Sequence, residues 1–264
     1  MKRFFQASAA ALIVATLAGA APAQAARCGN GAGGFEAWKQ EFAEEARGRV
    51  GSAGVDALMN THYNAATIGA DRGQKSFHLS LEGFMQKRGA SAIVAKGRQL
   101  KRSMAGLFQS IESRYGVPPG PLLAIWGMET GFGAVHGNQH ALSAVATLAY
   151  DCRRSEYFTD QLYSALELVD QGRLSPGARG SMHGEIGQTQ FLPKNILQYG
   201  TGNLDNAQAA LMSTANFLHA HGWQAGAGYQ PGEPNFAAIQ AWNAAQVYER
   251  AIAIIGRQID GGGD

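Results

Sequence analysis

Residues 116–133, GVPPGPLLAIWGMETGFG, leave the chain few ways to fold. Pro118, Pro119 and Pro121 mark a helix start, because proline is tolerated in a first turn and not further in. The spacing predicts a helix from about Gly120 to Thr130. Counting back from Glu129 by three, four and seven gives Trp126, Ile125 and Leu122, which share its face at 3.6 residues per turn. Gly120, Ala124, Gly127 and Gly131 fall along the other side, a small-residue face that a neighbouring helix can approach closely. A helix apolar on one side and small on the other is covered on both, so the rest of the fold must surround it.

That helix carries one carboxylate, Glu129, on its apolar stripe and at its C-terminal end. Loss of water, an indole and aliphatic wall, and the negative end of the helix dipole each raise the proton affinity of such a group. A carboxylic acid kept protonated near neutral pH is a general acid, a task that cleavage of a glycosidic bond asks of a glutamate. The same spacing suits a glutamate that reaches past the helix end into solvent or pairs with an arginine, and spacing alone leaves both readings open.

Elsewhere the apolar pattern is also helical. Leu100, Met104, Leu107, Phe108, Ile111 and Tyr115 fall at offsets 0, 4, 7, 8, 11 and 15, and Phe158, Leu162, Ala165, Leu166 and Val169 repeat the rhythm. A third helix is predicted from the N-cap candidates Asp205 and Asn206 through Leu218 to a stop at Gly222, and a fourth from about Phe236 to Ile259. Strand-like runs are confined to possible short ones within the Gly-rich segment 171–190. The expected class is mainly α, with at most a small β element.

Composition narrows the setting. Lys2 and Arg3 precede an apolar run from Ala9 to Ala21 that ends in Ala23, Gln24, Ala25, which reads as a secretory signal peptide cut after Ala25. A retained membrane anchor is the alternative, but the run is short of the roughly 20 apolar residues that span a bilayer. A lipid anchor is disfavoured because Arg27 precedes Cys28. Removing residues 1–25 takes away those two cations and no acid, leaving a chain in charge balance. Without a basic stripe, nucleic acid is not an expected partner. Two cysteines, Cys28 and Cys152, in an oxidising compartment point to one disulfide, with two separate buried thiols as the alternative. CGNGAGG at residues 28–34 contains a literal GxGxxG, but no strand precedes it, so residues 26–34 read as a flexible Gly-rich leader rather than a nucleotide site. Residues 35–264 would then form one catalytic domain.

Taken together, GVPPGPLLAIWGMETGFG, ALSAVATLAYDCRRSEYF, GSMHGEIGQTQFLP, FLHAHGW and AWNAAQVYERAI resemble the lytic murein transglycosylases of the membrane-bound B type. The resemblance covers roughly Phe35 to Ile259, with the motifs in family order. It implies a lysozyme-like helical fold, bilobal around a glycan groove, and a lyase acting on the β-1,4 bond between N-acetylmuramic acid and N-acetylglucosamine in peptidoglycan. Glu129 falls on the family's sole catalytic acid and base. It would protonate the leaving oxygen, then take the proton of the muramoyl C6 hydroxyl as a 1,6-anhydro ring closes, with no cofactor. A same-fold muramidase that adds water, and a scaffold that holds peptidoglycan without cutting it, are the rival expectations.

The resemblance assigns the groove to Ser181, Gln190, Trp242, Asn243, Tyr248 and Phe217, with Arg153, Arg154 and Tyr157 placed to meet peptide-stem carboxylates. Trp242 and Tyr248 also fit a helix core, and the two arginines a solvated helix start. Two departures stand out. Glu185 occupies a position where the family commonly has a small residue; it could tune Glu129, bind a substrate amide, or pair with Arg179 or His183, and pairing is the expectation, while Phe217 stands where relatives have an aromatic that is often tyrosine. The calcium-binding insertion of some relatives has no counterpart, and His136, His140, His219 and His221 lack the further ligands a zinc site needs, so no metal is expected. The expected setting is a monomer in the periplasm; exo or endo action, physiological role and protein partners in the cell-wall machinery are not legible.

Overall fold

The computed structural model describes residues 26–73 and 79–261; the expected signal peptide, residues 1–25, lies outside the described residues. Among the described residues the chain is mainly α. In chain order the helices are α1 (Phe35–Ala46), α2 (Ser52–Met59), α3 (Ala65–Arg72), α4 (Leu81–Lys87), α5 (Ala90–Ser103), α6 (Ala105–Tyr115), α7 (Pro119–Thr130), α8 (Ala141–Tyr150), α9 (Ser155–Asp170), α10 (Pro193–Tyr199), α11 (Ala207–Ala220), α12 (Phe236–Trp242) and α13 (Gln246–Asp260). Two short strands, β1 (Gln139–His140) and β2 (Arg179–Gly180), pair antiparallel with Gln139 opposite Gly180.

Helix α7 lies where the proline and glycine signals placed it, packed against α13, α5 and α11. Leu122, Leu123, Ala124 and Ile125 are fully shielded from solvent, and each such leucine contributes about 1.5–3 kcal/mol through burial. The small face works as the spacing implied. A Cβ on Gly120 would collide with the Gly256 carbonyl and the Asp260 carboxylate, so α7 and α13 meet backbone to backbone. Pro118 offers no side-chain cap, and Asp260 Oδ1 instead accepts the Gly120 N–H at 2.9 Å, satisfying an orphan donor of the first turn. Gly120→Leu is therefore expected to lower stability by about 3 kcal/mol, read as a lower urea midpoint, because neither backbone can retreat from the new side chain.

Two expected helices are each divided. The run from Leu100 to Tyr115 breaks at Met104 (φ −112°, ψ 25°), which lets α5 follow α7 and α13 while α6 turns to α11. The run from Phe236 to Ile259 breaks at 243–245, where Asn243 is extended and its Oδ1 accepts the Ala245 N–H at 3.0 Å. Side-chain competition for a backbone donor stops one helix and starts the next. The apolar rhythm of Phe158 to Val169 lies within α9, and α11 follows its predicted course, with Asn206 capping it through the Ala209 N–H.

Residues 26–34, expected as a flexible leader, are docked. Gly29 donates to Tyr150 O at 2.9 Å and accepts from Cys152 N at 3.2 Å, and the Tyr150 hydroxyl donates to Gly31 O at 3.0 Å. The absence of side chains on Gly29 and Gly34 makes room for the Tyr150 ring, so the glycines serve close packing rather than freedom. Cys28 and Cys152 form a disulfide that closes a separation of 124 residues. On loop-closure grounds its removal by Cys28→Ser/Cys152→Ser is expected to cost about 2–5 kcal/mol, measured by chemical unfolding against the unreduced parent.

Candidate active site

Glu129 ends up in the last turn of α7 because the helix is stopped immediately behind it. Gly131 adopts a left-handed conformation (φ 58°), and its N–H and that of Phe132 return to the carbonyls of Gly127 and Trp126. Thr130 fixes this end, its hydroxyl donating to Gln188 O at 2.6 Å and accepting from Gly133 N at 2.9 Å. The loop that carries Gln188 is thereby tied to the helix terminus that carries Glu129.

The divided C-terminal helix supplies the partners. Tyr248, in the first turn of α13, donates its hydroxyl to Glu129 Oε1 at 2.6 Å, and Trp242, at the end of α12, directs Nε1 to the same oxygen at 3.4 Å. Both donors converge on Oε1, and no hydrogen bond to Oε2 is formed among the described residues. Burial is the largest influence on this carboxyl and raises its pKa; the Tyr248 hydroxyl lowers it, the charge of Glu185 raises it, and Trp242 and Arg88 lower it. The outcome is a pKa pushed up to about 7. Tyr248 is itself held well above the usual phenol range by burial and by the Glu129 charge, so it remains a hydrogen-bond donor.

A pocket of about 270 Å³ opens over this carboxyl. Gln190, Trp242, Asn243, Tyr157 and Phe217, all singled out in the sequence, line it together with Glu129. Trp242 is held edge-on by Phe191 and Phe217, at ring separations of 5.1 and 5.2 Å. Phe217 is itself buried and stacked on His221 at 4.0 Å, so it acts as the wall behind Trp242 more than as a surface for a sugar. Gln190 sits at φ 55°, a conformation that costs a non-glycine residue about 1–2 kcal/mol and that is concentrated at functional sites. Its Nε2 donates to Gly187 O at 2.8 Å, which fixes the amide.

Four expected groove residues are placed differently. Tyr248 lies buried behind Glu129, where it contacts the acid instead of a pyranose. Ser181 spends its hydroxyl on Glu185 Oε2, at 2.7 Å, while accepting the N–H groups of His183 and Glu185. Arg153 and Arg154 both clasp the buried carboxylate of Asp71 at the end of α3, so they are neither freely solvated nor unpaired. Glu185 takes Ser181 as its partner, whereas Arg179 donates to Asn138 O; the charge of Glu185 reaches His183 and raises its proton affinity against the lowering caused by burial. Asn195, which carried no sequence signal, and His221, which the sequence offered only as a metal candidate within FLHAHGW, also line the pocket. Among the described residues no group of three or more His, Cys, Asp or Glu gathers as a metal site, and His136, His219 and His221 each engage a backbone carbonyl.

The family described as Transglycosylase SLT domain matches residues 34–232. Membrane-bound lytic murein transglycosylase B of Escherichia coli K12 is 38% identical over 46% of this chain, an alignment that spans only 38% of that protein. Among solved structures, SltB3 from Pseudomonas aeruginosa in complex with NAG-NAM-pentapeptide superposes with a TM-score of 0.79 at 26% identity, over 87% of this chain and 80% of that one. The Escherichia coli lytic transglycosylase Slt35 in complex with calcium, with a TM-score of 0.73 at 22% identity over 84% of this chain and 92% of its own, shares the fold.

Proposed function

This chain belongs to the transglycosylase SLT domain family, and from that premise we propose that it cleaves the β-1,4 bond between N-acetylmuramic acid and N-acetylglucosamine of peptidoglycan without adding water. The observation that carries the reading is Glu129, a pocket-lining carboxyl balanced near pKa 7 with one oxygen held by two donors. The protonated Oε2 delivers its proton to the glycosidic oxygen as the C1–O4 bond breaks. The resulting carboxylate then accepts the proton of the muramoyl C6 hydroxyl as O6 bonds to C1, so the enzyme regains its proton and no water is consumed.

A group that acts first as acid and then as base is served best when neither state is strongly favoured. Burial and Glu185 support the acid, while Tyr248 and Trp242 support the carboxylate, and these influences oppose each other on one side chain. Trp242, Asn243, Gln190 and Tyr157 offer an aromatic face and neutral amides suited to amino-sugar rings. The bound NAG-NAM-pentapeptide of the SltB3 complex supports glycan strands carrying stem peptides as the substrate class. The periplasm is the corresponding site of action; among the described residues no helix is long and apolar enough to cross a membrane.

A second reading, hydrolysis in the same groove, is favoured by one observation: Glu185 places a second carboxylate in the pocket of Glu129. Digestion of purified sacculi, followed by mass spectrometry, separates the two. Products of the proposed reaction are lighter by one water and carry 1,6-anhydro ends, whereas reducing ends throughout would replace the transglycosylase by a muramidase.

A further inference from the structure

Glu185 is a carboxylate in the pocket that makes and breaks no bond in the proposed chemistry. It is not a loose surface side chain. Ser181 N donates to Glu185 O at 2.9 Å, Glu185 N donates to Ser181 Oγ at 3.2 Å, and the serine hydroxyl donates its single proton to Glu185 Oε2 at 2.7 Å. The turn is thus closed on itself at three points, and the carboxylate has a fixed seat between Ser181 and the pocket that contains Glu129.

The two carboxyls have opposite surroundings. Glu185 receives a hydroxyl proton and feels Arg154, His183 and Tyr157, although the Arg154 guanidinium makes its ion pair with Asp71. Facing Glu129 are Tyr248 from α13, Trp242 from α12, Arg88 from the end of α4, and Glu185 from its loop. Ser181 seats Glu185 in the same pocket, and a negative charge there disfavours a second one on Glu129.

Resting on the reading of Glu129 as the acid of the reaction, we infer that Glu185 is its electrostatic partner: a carboxylate locked by Ser181 that favours the protonated form of Glu129 before cleavage and the cationic sugar carbon during it. The first effect follows from like charge in a shared pocket. The second follows because the transition state at C1 carries positive charge, and a fixed negative group lowers its energy without reorganising. The family-type serine accordingly has a different task in this chain, orienting a carboxylate in place of a sugar hydroxyl.

Glu185→Gln tests this, because the amide keeps the shape and can still accept from Ser181. The carboxyl 13C signal of Glu129, identified by its loss in Glu129→Gln, is titrated in the parent and in Glu185→Gln, and muropeptide release is followed across pH. Glu185→Gln is expected to move the Glu129 midpoint and the alkaline limb of activity down by about half a pH unit. The accompanying fall in kcat is about tenfold, with KM changed less than twofold. Ser181→Ala should shift both in the same direction by less. An unmoved Glu129 midpoint in Glu185→Gln would overturn the inference whatever happens to the rate, as would a rise in KM with kcat intact. Loss of the transglycosylase reading is separately visible, as absence of anhydro ends in the parent or retained cleavage by Glu129→Gln, and the midpoint still reports the coupling.

Discussion

Glu129→Gln is expected to abolish release of anhydro-muropeptides from sacculi, by about a thousandfold or more in rate, since it removes both the proton donor and the base of the second half-reaction. The amide matches the carboxyl in size and can still accept from Tyr248 and Trp242, so the fold should be retained. Stability should in fact rise at neutral to alkaline pH. The folded pKa of about 7 lies above the ordinary carboxyl value of 4.5. The unfolded chain therefore loses this proton more readily, and the native state is penalised as pH rises from about 4.5 through 7. At pH 8 the full difference corresponds to about 3 kcal/mol, whereas below about pH 4 it vanishes. Urea unfolding of parent and variant at pH 4 and pH 8 reads this directly. Equal stability at both pH values would mean that Glu129 ionises freely, and undiminished anhydro product would remove it from the chemistry.

Tyr248→Phe carries the second large effect. Its hydroxyl makes the shortest contact to Glu129, at 2.6 Å, and favours the carboxylate. Without it the acid holds its proton to higher pH, so the alkaline limb of the activity profile is expected to move upward, opposite to the shift expected for Glu185→Gln. The rate should fall by about a hundredfold, because the carboxylate that forms as the glycosidic oxygen is protonated loses its best donor at the moment of charge development. A downward or absent shift with normal rate would show that the tyrosine is ordinary core.

Much of the architecture was legible because it depends on local chemistry. Prolines start α7, a left-handed glycine stops it, and the 3.6-residue rhythm of Phe158 to Val169 belongs to a helix that extends past it at both ends. The breaks at Met104 and 243–245 were not legible. Apolar periodicity continues across both, and the choice to turn is made by which neighbours each half can cover. The docked leader escaped notice for a related reason: glycine density signals freedom only where nothing like the Tyr150 ring packs against it. Ser181 and Tyr248 were placed in the groove by resemblance, yet each turns to a carboxyl contributed from a distant or unusual position.

By itself, the sequence determined that a helix shielded on both faces would end in a lone glutamate, since proline, glycine and apolar spacing act within a dozen residues. Only the tertiary structure decided what that glutamate experiences. Tyr248 and Trp242 lie 119 and 113 residues away along the chain, and Glu185 comes from a separate loop. Proton affinity depends on donors and charges within a few ångströms in space, and sequence separation carries no information about them.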